Sequence, residues 1–152
     1  CWANVCSEYA REELELAGIG RLLAMTPNDE VNTMAAGEFA EFFGRAEVYQ
    51  LPYKPPEIEG RGQLSPYRNG RMLFADEANH SRLLERFDNG AVIKKTAITE
   101  EFDYDAFREL YGDTAIVLFV VEESGKLTIV TVEDTLTPRP GQALISLVDP
   151  VE

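Results

Sequence analysis

The residues of this 152-residue chain that could do chemistry are few, and their spacing limits what they could do. There are two cysteines and one histidine. Cys6 stands just before a segment expected to be helical, a location that lowers a thiol pKa. The only candidate base is His80, far along the chain and on the polar side of a separate predicted helix. A nucleophile and its base must share a cleft, so the two are read as structural or incidental. Cys1 and Cys6 alone make neither a disulfide framework nor a zinc site, and a reducing compartment fits them best. The carboxylates Glu100, Glu101, Asp103 and Asp105 cluster, but they lack the alternating oxygen ligands and central glycine of a calcium loop. A solvated acidic face is the expectation there. Glu133-Asp134 reads as a polar strand end. No catalytic residue and no metal site is therefore expected.

Phosphate recognition is the next candidate chemistry. Dinucleotide-binding folds open with a glycine-rich turn between their first strand and helix, and no such turn is present. Gly18-Ile19-Gly20 follows a predicted helix rather than a strand, so it reads as a cap and turn. A Walker-type phosphate loop is also absent. The most informative segment is Thr26-Pro27-Asn28-Asp29-Glu30-Val31-Asn32, a strand end turning into a capped helix. Thr26 is expected as N-cap, Pro27 in the first turn and Asp29 three residues after the cap. Ligands of open parallel sheets collect at the carboxyl ends of strands, beside helix N-termini whose free N–H groups favour anions. Thr26 and Asn28 would face such a crevice.

The elements that must position these residues fall into three zones. In residues 1–52, Ser7 caps a predicted helix through Ala17, and Arg21–Met25 reads as a short buried strand. Val31, Met34, Ala35, Phe39 and Phe42 then fall at helical spacing on one predicted face. Gly44 closes that helix and Ala46–Leu51 is the next strand, an order that suggests a parallel sheet. Residues 53–70 hold Pro55, Pro56, Pro66, Gly60 and Gly62 and read as an extended linker. Residues 71–152 begin with a strand candidate, Arg71–Ala75. A helix over Glu77–Phe87 follows, with Leu83, Leu84 and Phe87 as its apolar set. Asn89-Gly90 is a turn before a strand over Ala91–Thr99. Thr99 is expected to cap a short helix that turns Phe102, Ala106, Phe107 and Leu110 inward. Ala115–Val121 and Lys126–Val132 flank Glu123-Ser124-Gly125, a hairpin signal, and Gln142–Val148 is the last strand. The fold class expected is α/β: a parallel sheet in the first zone plus a smaller α+β domain with antiparallel strands in the third.

Composition narrows the function classes. The 45% hydrophobic content argues against wholesale disorder. Fourteen basic against 27 acidic residues give a formal charge of −13, which disfavours phosphate-backbone binding and docking on an anionic membrane surface. No nucleic-acid partner is expected. No run approaches the length of a membrane-spanning helix, and Arg11, Glu12 and Glu13 arrive too early for a signal peptide. The chain opens at Cys1 without a methionine, so it is expected to be a piece of something longer.

A resemblance sharpens these expectations. Cys1-Trp-Ala-Asn4, Ser7-Glu-Tyr9 and Gly18-Ile-Gly-Arg-Leu-Leu-Ala-Met-Thr-Pro-Asn-Asp-Glu-Val-Asn32 resemble the second half of the RCK (TrkA-N type) domain. Phe43-Gly-Arg-Ala-Glu-Val-Tyr-Gln-Leu-Pro52 looks like its following strand. More narrowly, these stretches are similar to the cytosolic tails of bacterial sodium or potassium cation/proton antiporters. So are Gly90-Ala-Val-Ile-Lys-Lys-Thr-Ala-Ile-Thr-Glu-Glu-Phe102 and Pro138-Arg-Pro-Gly-Gln-Ala-Leu-Ile-Ser-Leu-Val-Asp-Pro150. The resemblance implies that the parallel sheet is a partial, Rossmann-like one, the second half of an RCK domain, in a non-catalytic regulatory domain that dimerises and acts on a membrane transport domain, at the cytoplasmic face of the bacterial inner membrane. It implies that a complete domain could take NAD(H) or an adenine nucleotide, with Asn4, Thr26 and Asn28 at the matching positions. An independent nucleotide or small-ligand binding module is the alternative reading. Two departures bear against nucleotide binding: the glycine-rich half is missing, and Asn4 stands where the pattern has an aspartate. An exposed edge strand on such a half-sheet favours dimerisation.

Overall fold

A computed structural model describes residues 18–53 and 70–151. Asn4, Cys6, the helix expected after Ser7 and most of the linker lie outside the described residues. The chain is mixed α/β and divides into two compact units between Met72 and Leu73.

The first unit is built on a β-α-β crossover. Strand β1 (Leu22–Ala24) leads to helix α1 (Asp29–Phe43), a 3-10 turn at Arg45–Glu47 and strand β2 (Val48–Gln50). Strand β3 (Arg71–Met72) completes a parallel sheet in the order β1-β2-β3. Leu22 lies opposite Val48 and Ala24 opposite Gln50, while Tyr49 lies opposite Arg71. Every residue of the central strand β2 is buried, as parallel sheets require when both faces are covered. The strand expected at Arg71–Ala75 is shorter and divided: Arg71–Met72 pair with β2, whereas Leu73 makes an isolated antiparallel bridge to Thr131.

Helix α1 differs from its sequence reading in two respects. Its N-cap is Asn28, whose Oδ1 accepts the Val31 N–H at 3.1 Å, so Thr26 is not the cap and Pro27 precedes the helix. Its buried stripe is Asn32, Ala35, Ala36 and Phe39, while Met34 is 57% and Phe42 51% exposed. An internally satisfied asparagine takes a core position, and the stripe rotates with it. Gly44 ends the helix, its N–H donating to the Ala40 carbonyl at 2.9 Å.

The second unit carries helix α2 (His80–Asp88), strand β4 (Val92–Ala97), helix α3 (Tyr104–Tyr111) and strands β5 (Ile116–Val121), β6 (Leu127–Ile129) and β7 (Ala143–Val148). Its sheet has the order β4-β7-β5-β6, antiparallel throughout. Ile98, Phe107, Val117, Val120, Leu144 and Val148 are among the buried residues of one hydrophobic cluster that joins α3 to β5 and β7. The β5–β6 hairpin forms where expected: Glu122 donates to the Lys126 carbonyl and Gly125 to the Glu122 carbonyl, both at 2.8 Å. Gly125 supplies the positive φ, +85°, that this turn needs.

Three local expectations change in this unit. On α2, Leu83 is buried, but Leu84 is 52% and Phe87 46% exposed, and the guanidinium-bearing Arg86 is only 7% exposed. Arg86 takes a core position because its charge is matched, as described below. The cap of α3 is Asp103, accepting from Ala106 N–H at 2.9 Å, while the Thr99 hydroxyl accepts from Phe102 N–H one turn earlier. Leu110 is 46% exposed, and Tyr111 packs inward in its place.

Candidate functional site

The strand-to-helix turn of the first unit brings Thr26 and Asn28 together, and what they do there is hold the turn. The Thr26 hydroxyl donates to Asn32 Oδ1 at 2.7 Å and accepts from the Asn28 N–H at 3.2 Å. The Thr26 N–H donates to the same Oδ1 at 2.9 Å, and Asn32 Nδ2 returns a bond to the Thr26 carbonyl at 2.9 Å. Asn32 is fully buried. A hydroxyl has one proton to donate, and Thr26 has committed it. The Asn28 side-chain oxygen is occupied by its cap.

The electrostatics of the turn disfavour phosphate. The first turn of α1 carries Asp29 and Glu30. Carboxylates there already use the favourable field of the helix N-terminus and repel a second anion. Nucleotide phosphates would meet charge of their own sign, without a glycine-rich loop to bring the backbone close.

A second polar assembly closes the carboxyl end of β2. Gln50, fully buried, accepts from the Gly70 N–H through Oε1 at 3.0 Å and donates to Thr33 Oγ1 at 3.1 Å. Thr33 Oγ1 and the Tyr53 hydroxyl lie 2.6 Å apart. Gly70 approaches so closely that a Cβ there would lie 3.2 Å from both Ala36 Cβ and Gln50 Oε1. Asn32 closes the segment that the sequence marks as most informative but has no role of its own there, and Gln50 has none either. The available signal was weak: a polar residue at a position where the apolar period expects burial.

In the second unit a cavity of about 280 Å³ opens beside β5. Ile116, Val117 and Val130 give it an apolar floor, and Asp76, Glu77 and Asp134 are the charged residues of its wall. Asp134 is partly committed, since Oδ2 accepts from the Thr131 N–H at 2.8 Å and hydroxyl at 2.9 Å. Tyr104 also lines the cavity, and burial holds its phenol above the usual pKa despite the opposing effect of Arg108. Such a wall suits a neutral or cationic small molecule better than a phosphate.

His80 is the first residue of α2, and Cys6 lies outside the described residues. Asp103 serves as a cap rather than as part of an acidic ligand set. Among the described residues, no group of three or more His, Cys, Asp and Glu is placed to hold a metal ion. No helix among them is long and apolar enough to cross a membrane. Comparison with family models, curated proteins and solved structures returned no match.

Proposed function

We propose that this chain is a non-catalytic regulatory module of a membrane cation/proton antiporter, dimeric and placed at the cytoplasmic face of the bacterial inner membrane. The first unit is then the second half of a Rossmann-like RCK domain, and the second unit a smaller regulatory lobe. The observation that carries this reading is the order of the two units. A parallel β-α-β unit, in keeping with the resemblance to half of a Rossmann-like domain, is followed by a separate antiparallel one, in keeping with the reading of the third zone. The excess of acidic residues is compatible with contact to the basic cytoplasmic loops of a transporter. Among the described residues β1 is an outer strand of its sheet, and the neighbouring Ile19 and Met25 are 52% and 40% exposed, a surface that a second copy could cover.

Sedimentation equilibrium tests the dimer: association at micromolar concentration supports the reading, and a monomer over a wide concentration range counts against it. The alternative, an independent small-ligand binding module, is favoured by the cavity beside β5. A thermal-shift panel of NADH, NAD, ATP and AMP separates the two. A ligand at 100 times its dissociation constant adds about 2.7 kcal/mol of stability. Stabilisation by one nucleotide would support the alternative, whereas the saturated turn and its acidic first helical turn favour a flat response.

A further inference from the structure

The sheet of the second unit ends in two very different edges. On one side β6 is three residues long, too short to template another strand. On the other, β4 runs for six residues, regularly paired with β7 from Val92 opposite Val148 to Ala97 opposite Ala143. Its outer side has no strand partner among the described residues. The Ile98 N–H donates to Gln142 of the neighbouring chain segment, and the Ile98 carbonyl accepts from Gly141. Backbone groups of a strand alternate in direction, so those of Ala97, Lys95 and Ile93 point outward.

The side chains along this edge have a distinctive chemistry. Val92 and Ile93 are 46% and 57% exposed. Lys94-Lys95 is the only pair of adjacent basic residues in a chain of net charge −13. Neither lysine has a carboxylate partner among the described residues; Lys94 Nζ lies instead 5.5 Å from the centre of the Tyr111 ring. Acidic groups are plentiful, yet among the described residues none pairs with these two cations.

A second copy is a poor occupant. Two β4 strands paired antiparallel in full overlap would set Lys94 against Lys95 at both central positions, and like charges directly opposite destabilise a sheet. The charges that oppose self-pairing match a strand of the opposite sign. We propose that the outer edge of β4 accepts an extended acidic segment of a partner protein as a fifth strand. Its carboxylates lie against Lys94 and Lys95, and its apolar residues against Val92 and Ile93. Main-chain hydrogen bonds then give affinity, and the two lysines give selectivity. This surface does not depend on the regulatory reading above.

Amide exchange on the whole chain tests the proposal, with the synthetic peptide Val-Val-Glu-Glu-Val-Val as probe, whose adjacent carboxylates point to opposite faces as Lys94 and Lys95 do, and Val-Val-Lys-Lys-Val-Val as control. The glutamate peptide should slow exchange at Ile93, Lys95 and Ala97 about tenfold, the factor of a net hydrogen bond near the upper end of its usual worth. Lys94 and Thr96, already facing β7, should change little, and added salt should weaken the effect. Lys95→Pro removes one outward donor at a position where an edge strand tolerates proline, and should abolish the slowing at Ile93 and Ala97. Exchanging both lysines for glutamate should transfer the response to the lysine peptide. Three results would overturn the proposal: no slowing with the glutamate peptide, equal slowing with both peptides, or slowing without peptide as protein concentration rises. The last would make a second copy the occupant.

Discussion

Thr26 and Asn32 grip each other across the turn between β1 and α1, with bonds of 2.7, 2.9 and 2.9 Å running in both directions. The pair closes the turn from inside, because Asn32 is fully buried while the Thr26 backbone belongs to the loop. Asn32→Ala leaves the Thr26 N–H and carbonyl without their partner and should cost about 2 kcal/mol or more. Thr26→Val, which removes only the hydroxyl, should cost about 1 kcal/mol. Urea midpoints of both single variants and the double variant check this; the double should cost less than the sum of the singles, since they share one bond.

Arg86 gives a second, independent test. Its Nη1 donates to the Thr114 carbonyl at 2.6 Å and its Nη2 to Asp149 Oδ1 at 3.0 Å, tying α2 to the end of β7. Asp149 Oδ2 in turn accepts from the Thr114 hydroxyl at 3.1 Å. Asp149 is 55% exposed, so water replaces part of what Asp149→Ala removes, and a loss of about 1–2 kcal/mol is expected. Arg86→Ala should cost more, because it also empties a core position. Thermal midpoints of the two variants should fall in that order.

Alkaline pH should weaken the second unit through Tyr104. Burial disfavours the phenolate, with Arg108 opposing, so the folded-state pKa lies above the ordinary 10.0. The folded form therefore keeps its proton where the unfolded chain has lost it. Stability is fully present below the ordinary tyrosine pKa and declines as pH rises from there through the raised value. Tyr104→Phe should flatten this decline in urea titrations between neutral and alkaline pH. A decline of the same size in the variant would assign it to other groups.

Gly70 is expected to resist even the smallest side chain. An added Cβ meets Ala36 Cβ and Gln50 Oε1, each at 3.2 Å, on a buried face. Gly70→Ala should cost about 1–3 kcal/mol, as overpacking of a closed site does. Parallel measurement of Gln50→Ala Gly70→Ala should recover part of the loss if the clash is with Gln50.

The elements most legible in the sequence were those fixed by local chemistry. Asn89-Gly90 and Glu123-Ser124-Gly125 demand turns by conformation alone, and strands β4, β5 and β7 follow around them. The alternation of strand and helix in the first zone gave the parallel arrangement. What was hidden depended on partners distant in sequence. Asn32 reads as a surface residue until Thr26, six residues earlier, satisfies it, and only then does the α1 stripe shift away from Met34 and Phe42. Arg86 reads as solvent-facing until Thr114 and Asp149 arrive, 28 and 63 residues later. The helix starts at Asn28 and Asp103 have separate reasons: the Thr26 hydroxyl is taken up by Asn32 and Asn28, whereas Thr99 does accept a cap-type bond, from the Phe102 N–H, but the helix proper begins a turn later under Asp103. At the candidate site, the sequence brought Thr26 and Asn28 to one turn, but not the hydrogen bonds that occupy them.

The regulatory reading is tested most directly by cation-driven proton exchange in everted membrane vesicles. The comparison is between cells carrying the intact protein and cells in which residues 1–152 have been deleted from it. The account predicts that exchange persists without these residues but loses its dependence on cytoplasmic conditions, with a shifted pH or cation response. An unchanged response would contradict a regulatory role, and complete loss of correctly inserted transport would make the segment part of the transport machinery instead.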